Sequence, residues 1–279
     1  MKTITITKSA GFCFGVRRAL QLAEQTASSN KKVYMLGEIV HNPRVVRDIK
    51  KAGVIKIDKL KPIKNGVLLI RAHGAPKDTY KKAEQMGYKI IDATCPMVKE
   101  IHSIAQEYEN KKYTIIIIGD KKHDEVIGIR GNLETEPIII AQKKEINAKI
   151  FARVSKAAVV VQSTQNLDKV LDMVEKLEKY IKKVTFCNTI CLPTRLKQKE
   201  IQQLPATQDM MIIIGAKSSA NTKRLYELSK KINPNTYWVN AKKDIRKSWF
   251  KNKEKIGIGA GASTPEYIIK EIASYIRSI

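Results

Sequence analysis

The sequence predicts an α/β protein with parallel sheets, and three observations support that prediction. Short apolar, β-branched segments alternate with amphipathic segments of helical period along the whole chain. With 279 residues, of which 43% are hydrophobic, the chain can bury a substantial core, and its length suggests about two domains of ordinary size. No Gly-, Ser- or Pro-rich linker interrupts the pattern, so any domains should pack closely.

The predicted strands are short and rich in Val and Ile. They are Thr3–Thr7, Lys32–Leu36, Val67–Ile70, Ile90–Asp92, Tyr113–Ile118, Ile138–Ile140, Ala158–Val161, Val184–Phe186, Met210–Ile214, Tyr237–Val239 and Lys255–Ile258. The predicted helices separate nearly all of these strands. They are Leu20–Ala27, Val45–Lys51, Lys77–Gln85, Val98–Glu109, Asp168–Ile181, Leu196–Gln203, Asn221–Ile232 and Pro265–Ile276. Parallel strands need such crossovers, and ligands are then expected beyond the carboxyl ends of the strands.

Three cysteines lie where a predicted strand gives way to a helix: Cys13, Cys95 and Cys191. They are 82 and 96 residues apart, which suggests three similar α/β units around one centre. Free N–H groups and the positive end of a helix favour the thiolate, which is the form that binds metal. One such cysteine would more often be a buried apolar residue, but three at equivalent junctions favour a metal site. Cys187, inside or at the end of a strand, is expected in the core.

Three of the four histidines, His41, His73 and His123, lie at the same kind of junction. Imidazole there can donate a hydrogen bond to a phosphate or relay a proton. Glu125 lies two residues after His123 and could deliver a proton if burial favours its protonated form. His102, inside a predicted helix, is expected to be structural.

Two helix starts in the last third of the chain suit an anion. They are Gly215–Asn221 and Gly257–Pro265, where small residues allow close approach and hydroxyl and amide groups can donate. Ser263 and Thr264 could instead be only helix N-caps, the commoner role for such residues. The Gly-rich segment is weak evidence for a dinucleotide site, because too little chain follows it for a βαβ unit.

The charge of the chain is strongly positive, with 52 Lys and Arg against 27 Asp and Glu, a formal net charge of +25. Such a charge attracts nucleic acid, anionic membranes or phosphorylated small molecules. The lysines are scattered over helical segments and aromatic residues are only 6%, which favours a solvated surface over a nucleic-acid site. No apolar run approaches a membrane span, no secretory signal is evident, and four cysteines do not form a disulfide framework, so a cytoplasmic location is expected.

Seven ordered motifs carry a resemblance to a known family. They are Gly-Phe-Cys-Phe-Gly-Val (11–16), Gly-Glu-Ile-Val-His-Asn-Pro (37–43), Arg-Ala-His-Gly-Ala-Pro (71–76), Asp-Ala-Thr-Cys-Pro-Met-Val (92–98), His-Asp-Glu-Val (123–126), Asn-Thr-Ile-Cys (188–191) and Gly-Ala-Ser (261–263). Through them the chain resembles the 4-hydroxy-3-methylbut-2-enyl diphosphate reductases of the non-mevalonate isoprenoid pathway, from Phe12 to about Pro265.

The resemblance implies a trefoil of three pseudo-threefold-related α/β units with parallel sheets around a central iron–sulfur cluster. The units would span residues 14–95, 96–190 and 191–279, the last completed by the N-terminal strand 1–13. Cys13, Cys95 and Cys191 would bind three irons of a [4Fe-4S] cluster, leaving one iron open for substrate.

The resemblance also implies the residues of the active site. The catalytic residues would be Glu125, which supplies a proton, together with His123 and Ser163. The allylic diphosphate would be bound by polar residues from several loops. They are His41, His73, His123, Ser163, Thr164, Asn188, Ser219, Asn221 and Ser263. Two electrons and two protons would remove the substrate hydroxyl as water, giving isopentenyl and dimethylallyl diphosphate.

The resemblance further implies an external electron donor, a ferredoxin or flavodoxin, since no flavin or nicotinamide motif is evident. A monomer or weak dimer is expected, with no membrane or nucleic-acid partner.

The chain departs from the family pattern at four positions. Pro193 is compatible with a first helical turn, Lys197 replaces an Arg, Ala220 lacks a hydroxyl, and Ser163 replaces a Thr. No ligand or proton donor is lost, so activity is expected, with weaker substrate binding. Two alternatives stay open: a cluster-binding paralogue without reductase activity, and a basic nucleic-acid-binding protein.

Overall fold

The computed structural model describes residues 2–30 and 32–279, and within them the strands form three four-stranded parallel sheets. The first sheet contains β2 (Val33–Leu36), β3 (Val54–Ile57), β4 (Gly66–Ile70) and β5 (Tyr88–Asp92). The second contains β6 (Thr114–Ile118), β7 (Ile138–Ile140), β8 (Lys156–Val161) and β9 (Lys183–Phe186). The third contains β10 (Met210–Ile214), β11 (Thr236–Val239), β12 (Lys255–Ala260) and the N-terminal β1 (Thr3–Ile6).

The helices connect these strands. They are α1 (Phe14–Ser29), α2 (Pro43–Lys51), α3 (Lys77–Gln85), α4 (Pro96–Asn110), α5 (Asp124–Arg130), α6 (Ala148–Phe151), α7 (Leu167–Glu178), α8 (Leu192–Gln203), α9 (Ala220–Ile232) and α10 (Glu266–Arg277). The predicted fold class is confirmed in its α/β character and its three parallel sheets.

The three sheets share one topology. Counted along the chain, each sheet has the order second, first, third, fourth, with β1 taking the fourth place in the third sheet. In every sheet the chain leaves the first strand toward one edge and later returns to build the other edge. The junction between the first and third strands is therefore the topological switch point of each sheet.

Strand burial explains why the apolar runs are nearly continuous. In β6, Ile116 and Ile118 enter one buried cluster while Ile115 and Ile117 enter another on the opposite face. A parallel sheet covered on both faces needs apolar residues at consecutive positions rather than alternate ones. The third sheet repeats the arrangement with Ile212 and Ile213.

Contacts divide the chain into two compact units. One comprises Met1–Arg17, Val40–Asp48 and Leu192–Ile279 and holds the third sheet. The other comprises Arg18–Ile39 and Ile49–Cys191 and holds the first and second sheets. The division of the chain into three units at residues 14–95, 96–190 and 191–279 stays a prediction.

The sequence pattern missed three elements. β3 is a four-residue edge strand with a lysine in it, and α5 and α6 are only seven and four residues long, too short to show a helical period. The start of α1 was placed at Leu20, six residues late, because glycine and two arginines dilute the apolar pattern of its first turns. None of the helices in the described ranges is long and apolar enough to cross a membrane.

Candidate active site

The predicted site residues fall at three repeated positions in the topology. Those that follow the first strand of a sheet are His41, His123, Ser219 and Asn221. Those that follow the third strand are His73, Ser163, Thr164 and Ser263. Those that follow the fourth strand are Cys13, Cys95, Asn188 and Cys191. Apart from Asn188, the polar residues therefore belong to the switch-point loops, where open parallel sheets bind ligands, whereas Asn188 and the cysteines belong to the neighbouring edge loops.

The three cysteines make the same backbone hydrogen bond. Cys95 N–H donates to the carbonyl of Ala72 at 3.0 Å, and Cys191 N–H donates to that of Ser163 at 3.2 Å. Cys13 N–H donates to the carbonyl of Ala262 at 3.3 Å. Each acceptor lies in the loop after the third strand of the same sheet, so these bonds extend the pairing of third and fourth strands beyond the sheet. The topology thus fixes each cysteine beside a switch-point loop.

The thiol chemistry suits a metal cluster. Cys13, Cys95 and Cys191 are half-buried, none is in a disulfide, and each immediately precedes α1, α4 or α8. Thiolates are the protein ligands that iron–sulfur clusters use, and a helix start favours the thiolate. Each of these thiols therefore has the chemistry of an iron–sulfur cluster ligand.

Cys187 differs from the other three cysteines. It directly follows β9, packs against a buried cluster of the second sheet, and its pKa is raised by burial. A thiol whose burial disfavours the charged form is a poor metal ligand. The structure therefore places Cys187 with the apolar packing, as its position in the sequence predicts.

Glu125 is buried and bonded twice to one residue. Its Oε1 accepts from the backbone N–H of Ser163 at 2.5 Å, and its Oε2 accepts from the Ser163 hydroxyl at 2.7 Å. Only 2% of Glu125 is exposed. The carbonyl of the same serine accepts from Cys191, so one residue joins the candidate proton donor to a candidate cluster ligand.

Two histidines lie at the start of the helix that carries Glu125 or against it. His123 is the N-cap of α5, and its Nδ1 accepts from the N–H of Glu125 at 3.2 Å. The His123 and His73 rings meet edge to face with centroids 5.5 Å apart. An ion pair between Arg71 Nη1 and Asp124 Oδ2, at 2.7 Å, joins the loop of His73 to α5. The structure thus places His73 against His123, and His123 at the start of the helix that carries Glu125.

The start of α9 presents polar groups with unmet hydrogen-bonding capacity. Ser219 is the N-cap, and its hydroxyl accepts from the N–H of Thr222 at 3.3 Å. Asn221 is 4% exposed, and neither its amide nitrogen nor its amide oxygen has a partner among the described residues. Burying an amide without partners costs about 1–3 kcal/mol, so this position suits a polar ligand at a helix N-terminus.

Glycine is required where the third sheet approaches α9. A Cβ on Gly261, just after β12, would overlap the Thr222 hydroxyl. A Cβ on Gly215, just after β10, would lie 2.5 Å from the same oxygen. The two central strands of the sheet therefore reach the start of α9 only because both positions lack side chains.

Ser263 connects to the loop of His41 rather than to a helix end. Its hydroxyl donates to the carbonyl of His41 at 3.5 Å, and its own carbonyl accepts from Asn42 Nδ2 at 2.7 Å. The alternative that Ser263 or Thr264 is an N-cap is wrong: Pro265 occupies that position, and the Thr264 hydroxyl donates to the carbonyl of Ile214 at 3.1 Å. Pro265 has no side-chain cap, and both hydroxyls bond to carbonyls outside the helix.

Lys197 holds the loop before Cys13. It is 3% exposed, and its Nζ donates to the carbonyls of Gly11, at 2.8 Å, and Ser9. Glu200, one turn further along α8, accepts from the hydroxyl of Ser9 at 2.7 Å. Lys197 therefore donates hydrogen bonds to backbone carbonyls. Such bonds do not need the bidentate geometry that an arginine would provide. Pro193 lies in the first turn of α8, as predicted.

The other two predicted residues lie in turns. The Thr164 hydroxyl accepts from Gln162 Nε2 at 3.1 Å, and Gln162 Oε1 in turn accepts from the N–H of Asp120 at 2.9 Å. Asn188 is exposed, and its Oδ1 accepts from the N–H of Ile190 at 3.3 Å, which closes the turn before Cys191.

Sequence reasoning missed the residues that position the site. Arg71, Asp124, Asn42 and Gln162 each hold a site loop in place. Arg71, Asp124 and Asn42 lie inside the family motifs that contain His73, His123 and His41. Their adjacency to site residues was a usable signal, but their partners are distant in the sequence.

The fold and the site define a class: a parallel α/β protein with thiol ligands suited to an iron–sulfur cluster and switch-point loops suited to an anionic ligand. Comparison of the sequence with known proteins gives the family. The chain belongs to the family described as LytB protein, whose sequence model matches residues 4–277. The resemblance predicted from the motifs is confirmed.

Characterised relatives cover the chain almost completely. It is 38% identical to the 4-hydroxy-3-methylbut-2-enyl diphosphate reductase of Aquifex aeolicus, over 100% of this chain and 97% of that protein. It is 40% identical to the same enzyme of Caldanaerobacter subterraneus subsp. tengcongensis, over 99% and 97%.

Solved structures show the same fold. The chain matches a structure of (E)-4-hydroxy-3-methyl-but-2-enyl diphosphate reductase, described as the terminal enzyme of the non-mevalonate pathway, with a TM-score of 0.73, 38% identity and full coverage of both chains. It matches the Plasmodium falciparum E-1-hydroxy-2-methyl-but-2-enyl-4-diphosphate reductase with a TM-score of 0.88 and 29% identity, over 99% of this chain and 87% of that one.

Proposed function

We propose that this protein is a 4-hydroxy-3-methylbut-2-enyl diphosphate reductase. It converts its substrate, with two electrons and two protons, to isopentenyl or dimethylallyl diphosphate and water. The observation that carries the proposal is the Glu125–Ser163–Cys191 connection, which links a buried acid to a thiol ligand. The named relatives, which align over nearly the whole chain, support the same reaction.

Cys13, Cys95 and Cys191 hold a [4Fe-4S] cluster with one iron free of protein ligands. When bound, the cluster supplies single electrons and a Lewis-acidic iron for the substrate hydroxyl. The support from this chain is the set of three cysteines at one topological position, none of them in a disulfide. The three α/β units predicted from the sequence, around that cluster, belong to the same proposal.

The diphosphate is bound by neutral donors. Asn221 Nδ2 and the Ser219 hydroxyl, at the start of α9, donate to phosphate oxygens, and the Ser263 hydroxyl is a third donor. The set predicted for the substrate is completed by His41, His73, His123, Ser163, Thr164 and Asn188. The positive charge of the protein assists the approach of the anion without a fixed lysine at each oxygen.

Glu125 delivers the proton that lets the substrate oxygen leave as water, since hydroxide is a poor leaving group. The Ser163 hydroxyl and backbone N–H hold both carboxyl oxygens in place. His123 caps the helix turn that carries Glu125 and accepts from its backbone N–H, and an imidazole at this position can relay a proton after each turnover.

Electrons come from a separate carrier, an acidic ferredoxin or flavodoxin, one at a time. The enzyme acts as a monomer or weak dimer. Four cysteines without a disulfide suit the reducing conditions of the cytoplasm, which is the location we propose.

Anaerobic purification followed by iron and sulfide analysis and a reductase assay tests the proposal. The expected result is about four irons and four sulfides per chain with turnover of the allylic diphosphate. Iron without turnover would identify a cluster-binding paralogue. No iron, together with steeply salt-dependent binding of DNA or RNA, would identify a nucleic-acid-binding protein.

A further inference from the structure

The most exposed apolar side chains of the protein lie next to two predicted cluster ligands. Among the described residues, three of the four most exposed large hydrophobic side chains are Phe14 (62%), Leu192 (55%) and Leu196 (49%). Phe14 directly follows Cys13, and Leu192 directly follows Cys191. A contiguous patch of exposed apolar side chains marks a contact surface more often than a scattered single side chain does.

The outer side of α8 forms a defined face. Leu192, Arg195, Leu196 and Lys199 are all exposed and follow the spacing i, i+3, i+4 and i+7, which puts them on one side of the helix. Thr194, Lys197, Gln198 and Ile201 occupy the opposite, buried side. We call the four exposed residues the α8 face. It contains two leucines, Leu192 and Leu196, and two cations, Arg195 and Lys199.

The first turn of α1 has the same character. Phe14 and Arg17 are both exposed, and Arg17 Nε donates to the carbonyl of Phe12 at 3.2 Å. The loop that leads into this turn is bound to α8 through Lys197 and Glu200, within one compact unit. The start of α1 and the buried side of α8 are thus held to one another by the same loop.

The charge around these leucines is positive. Arg17, Arg195 and Lys199 are exposed, whereas Glu200 is engaged by Ser9, and Glu266 forms an ion pair with Lys270 at 2.9 Å. Exposed apolar side chains with cationic residues near them suit a partner that has an apolar centre and acidic residues around it. Such complementarity raises the association rate and orients the partner.

We propose that the α8 face, with Phe14 and Arg17, is the docking surface for an acidic ferredoxin that delivers electrons to this protein. The inference rests on the proposed function, which needs a one-electron carrier. Per turnover two reduced ferredoxins are each oxidised by one electron, and the two electrons with two protons convert one allylic diphosphate to product and water. A second copy of this chain would bring like charges together on this face, and nucleic acid makes no use of the leucines.

The face is small, which suits a carrier that must leave after each electron. Leu192 to Lys199 covers two helical turns, about 10 Å along the helix axis. Weak electron-transfer encounters bury less surface than stable complexes. We therefore expect fast, salt-sensitive, reversible binding rather than a permanent complex.

The experiment compares the anaerobically prepared holoenzyme with the double variant R195E/K199E. The control is R246E/K247E, which also reverses one arginine and one lysine, both exposed and in the same compact unit. Binding of an acidic [2Fe-2S] ferredoxin is measured by calorimetry at two salt concentrations. Reduction of the enzyme by that ferredoxin is followed by stopped flow, and turnover with dithionite-reduced methyl viologen is measured in parallel.

The expected result is a Kd for ferredoxin raised about tenfold or more in R195E/K199E, with reduction by ferredoxin slowed and viologen-driven turnover unchanged. L196Q should weaken binding without changing its salt dependence, and R246E/K247E should behave as the wild type. Equal binding by both double variants would overturn the proposal. So would a self-association, or an oligonucleotide affinity, that R195E/K199E abolishes while ferredoxin binding persists. Loss of viologen-driven turnover in the wild type would instead contradict the proposed function, and ferredoxin binding would still be measured.

Discussion

Ser163 contacts both oxygens of the Glu125 carboxyl group, through its backbone N–H at 2.5 Å and its hydroxyl at 2.7 Å. Ser163 follows β8 and Glu125 lies in α5, just after β6, so the pair spans the switch point of the second sheet. A buried carboxyl group held at both oxygens has one orientation. That is what a proton donor to a bound substrate requires.

Glu125→Gln should preserve the cluster and remove nearly all turnover, by about 10²-fold or more, because the amide cannot transfer a proton. Iron content and the visible spectrum check the cluster, and the reductase assay checks the turnover. Glu136→Gln, which changes an exposed carboxylate paired with Arg130, is the control. Unchanged turnover in Glu125→Gln would refute the role of this residue.

Ser163→Ala should lower turnover more than it lowers stability. It removes one hydrogen bond to a buried carboxylate, about 1–3 kcal/mol, while the backbone bonds to Glu125 and Cys191 stay. Ser163→Thr keeps the hydroxyl and should retain most of the activity. Steady-state kinetics with both variants tests this, and equal activity of Ala and Thr would rule out a role for the hydroxyl.

Cys13→Ser should yield protein with depleted iron, because a hydroxyl is a poor ligand for an iron–sulfur cluster. Cys187→Ser is the matched control: this thiol packs against the apolar core of the second sheet, so its loss should leave the iron content normal. Iron and sulfide analysis of the two proteins decides the matter. A full complement of iron in Cys13→Ser would remove it from the ligand set.

Lys197→Met should destabilise the protein by about 2 kcal/mol and lower its iron content. It leaves the buried carbonyls of Ser9 and Gly11 without their donor, and these residues position Cys13. Lys197→Arg keeps a donor and should be closer to the wild type. Lys199→Met, on the exposed side of the same helix, should change stability by less than about 0.5 kcal/mol. Denaturant titration measures all three, and equal stabilities would contradict the assignment.

His102 should make folding stability depend on pH. Burial lowers the pKa of His102 from 6.5 to about 4, with Asp92 opposing and Lys99 reinforcing the shift. Because the folded pKa is lower than the unfolded one, the unfolded state binds more protons between these values, and stability falls as pH falls through this window. From about pH 7.5 to about pH 5 the loss from this residue is about 2 kcal/mol.

His102→Gln should flatten that part of the pH profile without affecting the carboxylates. Denaturant midpoints across the window provide the measurement. Burial raises the pKa of Asp92, but hydrogen bonds from Lys99 and Thr94 and the charge of Lys99 together lower it below its usual value, so Asp92 loses its contribution at lower pH. An unchanged slope in His102→Gln would show that His102 binds its proton as readily in the folded state as in the unfolded state.

Much of the fold could be predicted from the sequence because its signals are local. Consecutive β-branched residues such as Ile115–Ile118 indicate a strand buried on both faces. Lys77–Gln85 was predicted at its observed bounds, because glycine and proline flank it. β3 and α5 are too short to show a strand or helix periodicity in the sequence. Their secondary structure depends on packing against longer neighbouring elements.

The sequence alone predicted which residues carry chemistry and determined what kind of loop each occupies. A cysteine before a helix and a histidine after a strand are local patterns, and the motifs around Cys13, His73 and Glu125 identify a family. The tertiary structure decided which groups meet: Glu125 with Ser163, Arg71 with Asp124, and Lys197 with the loop before Cys13. Those partners are tens to nearly two hundred residues apart. Their pairing follows from strand order, which places the ends of non-consecutive strands side by side and leaves no trace in local periodicity.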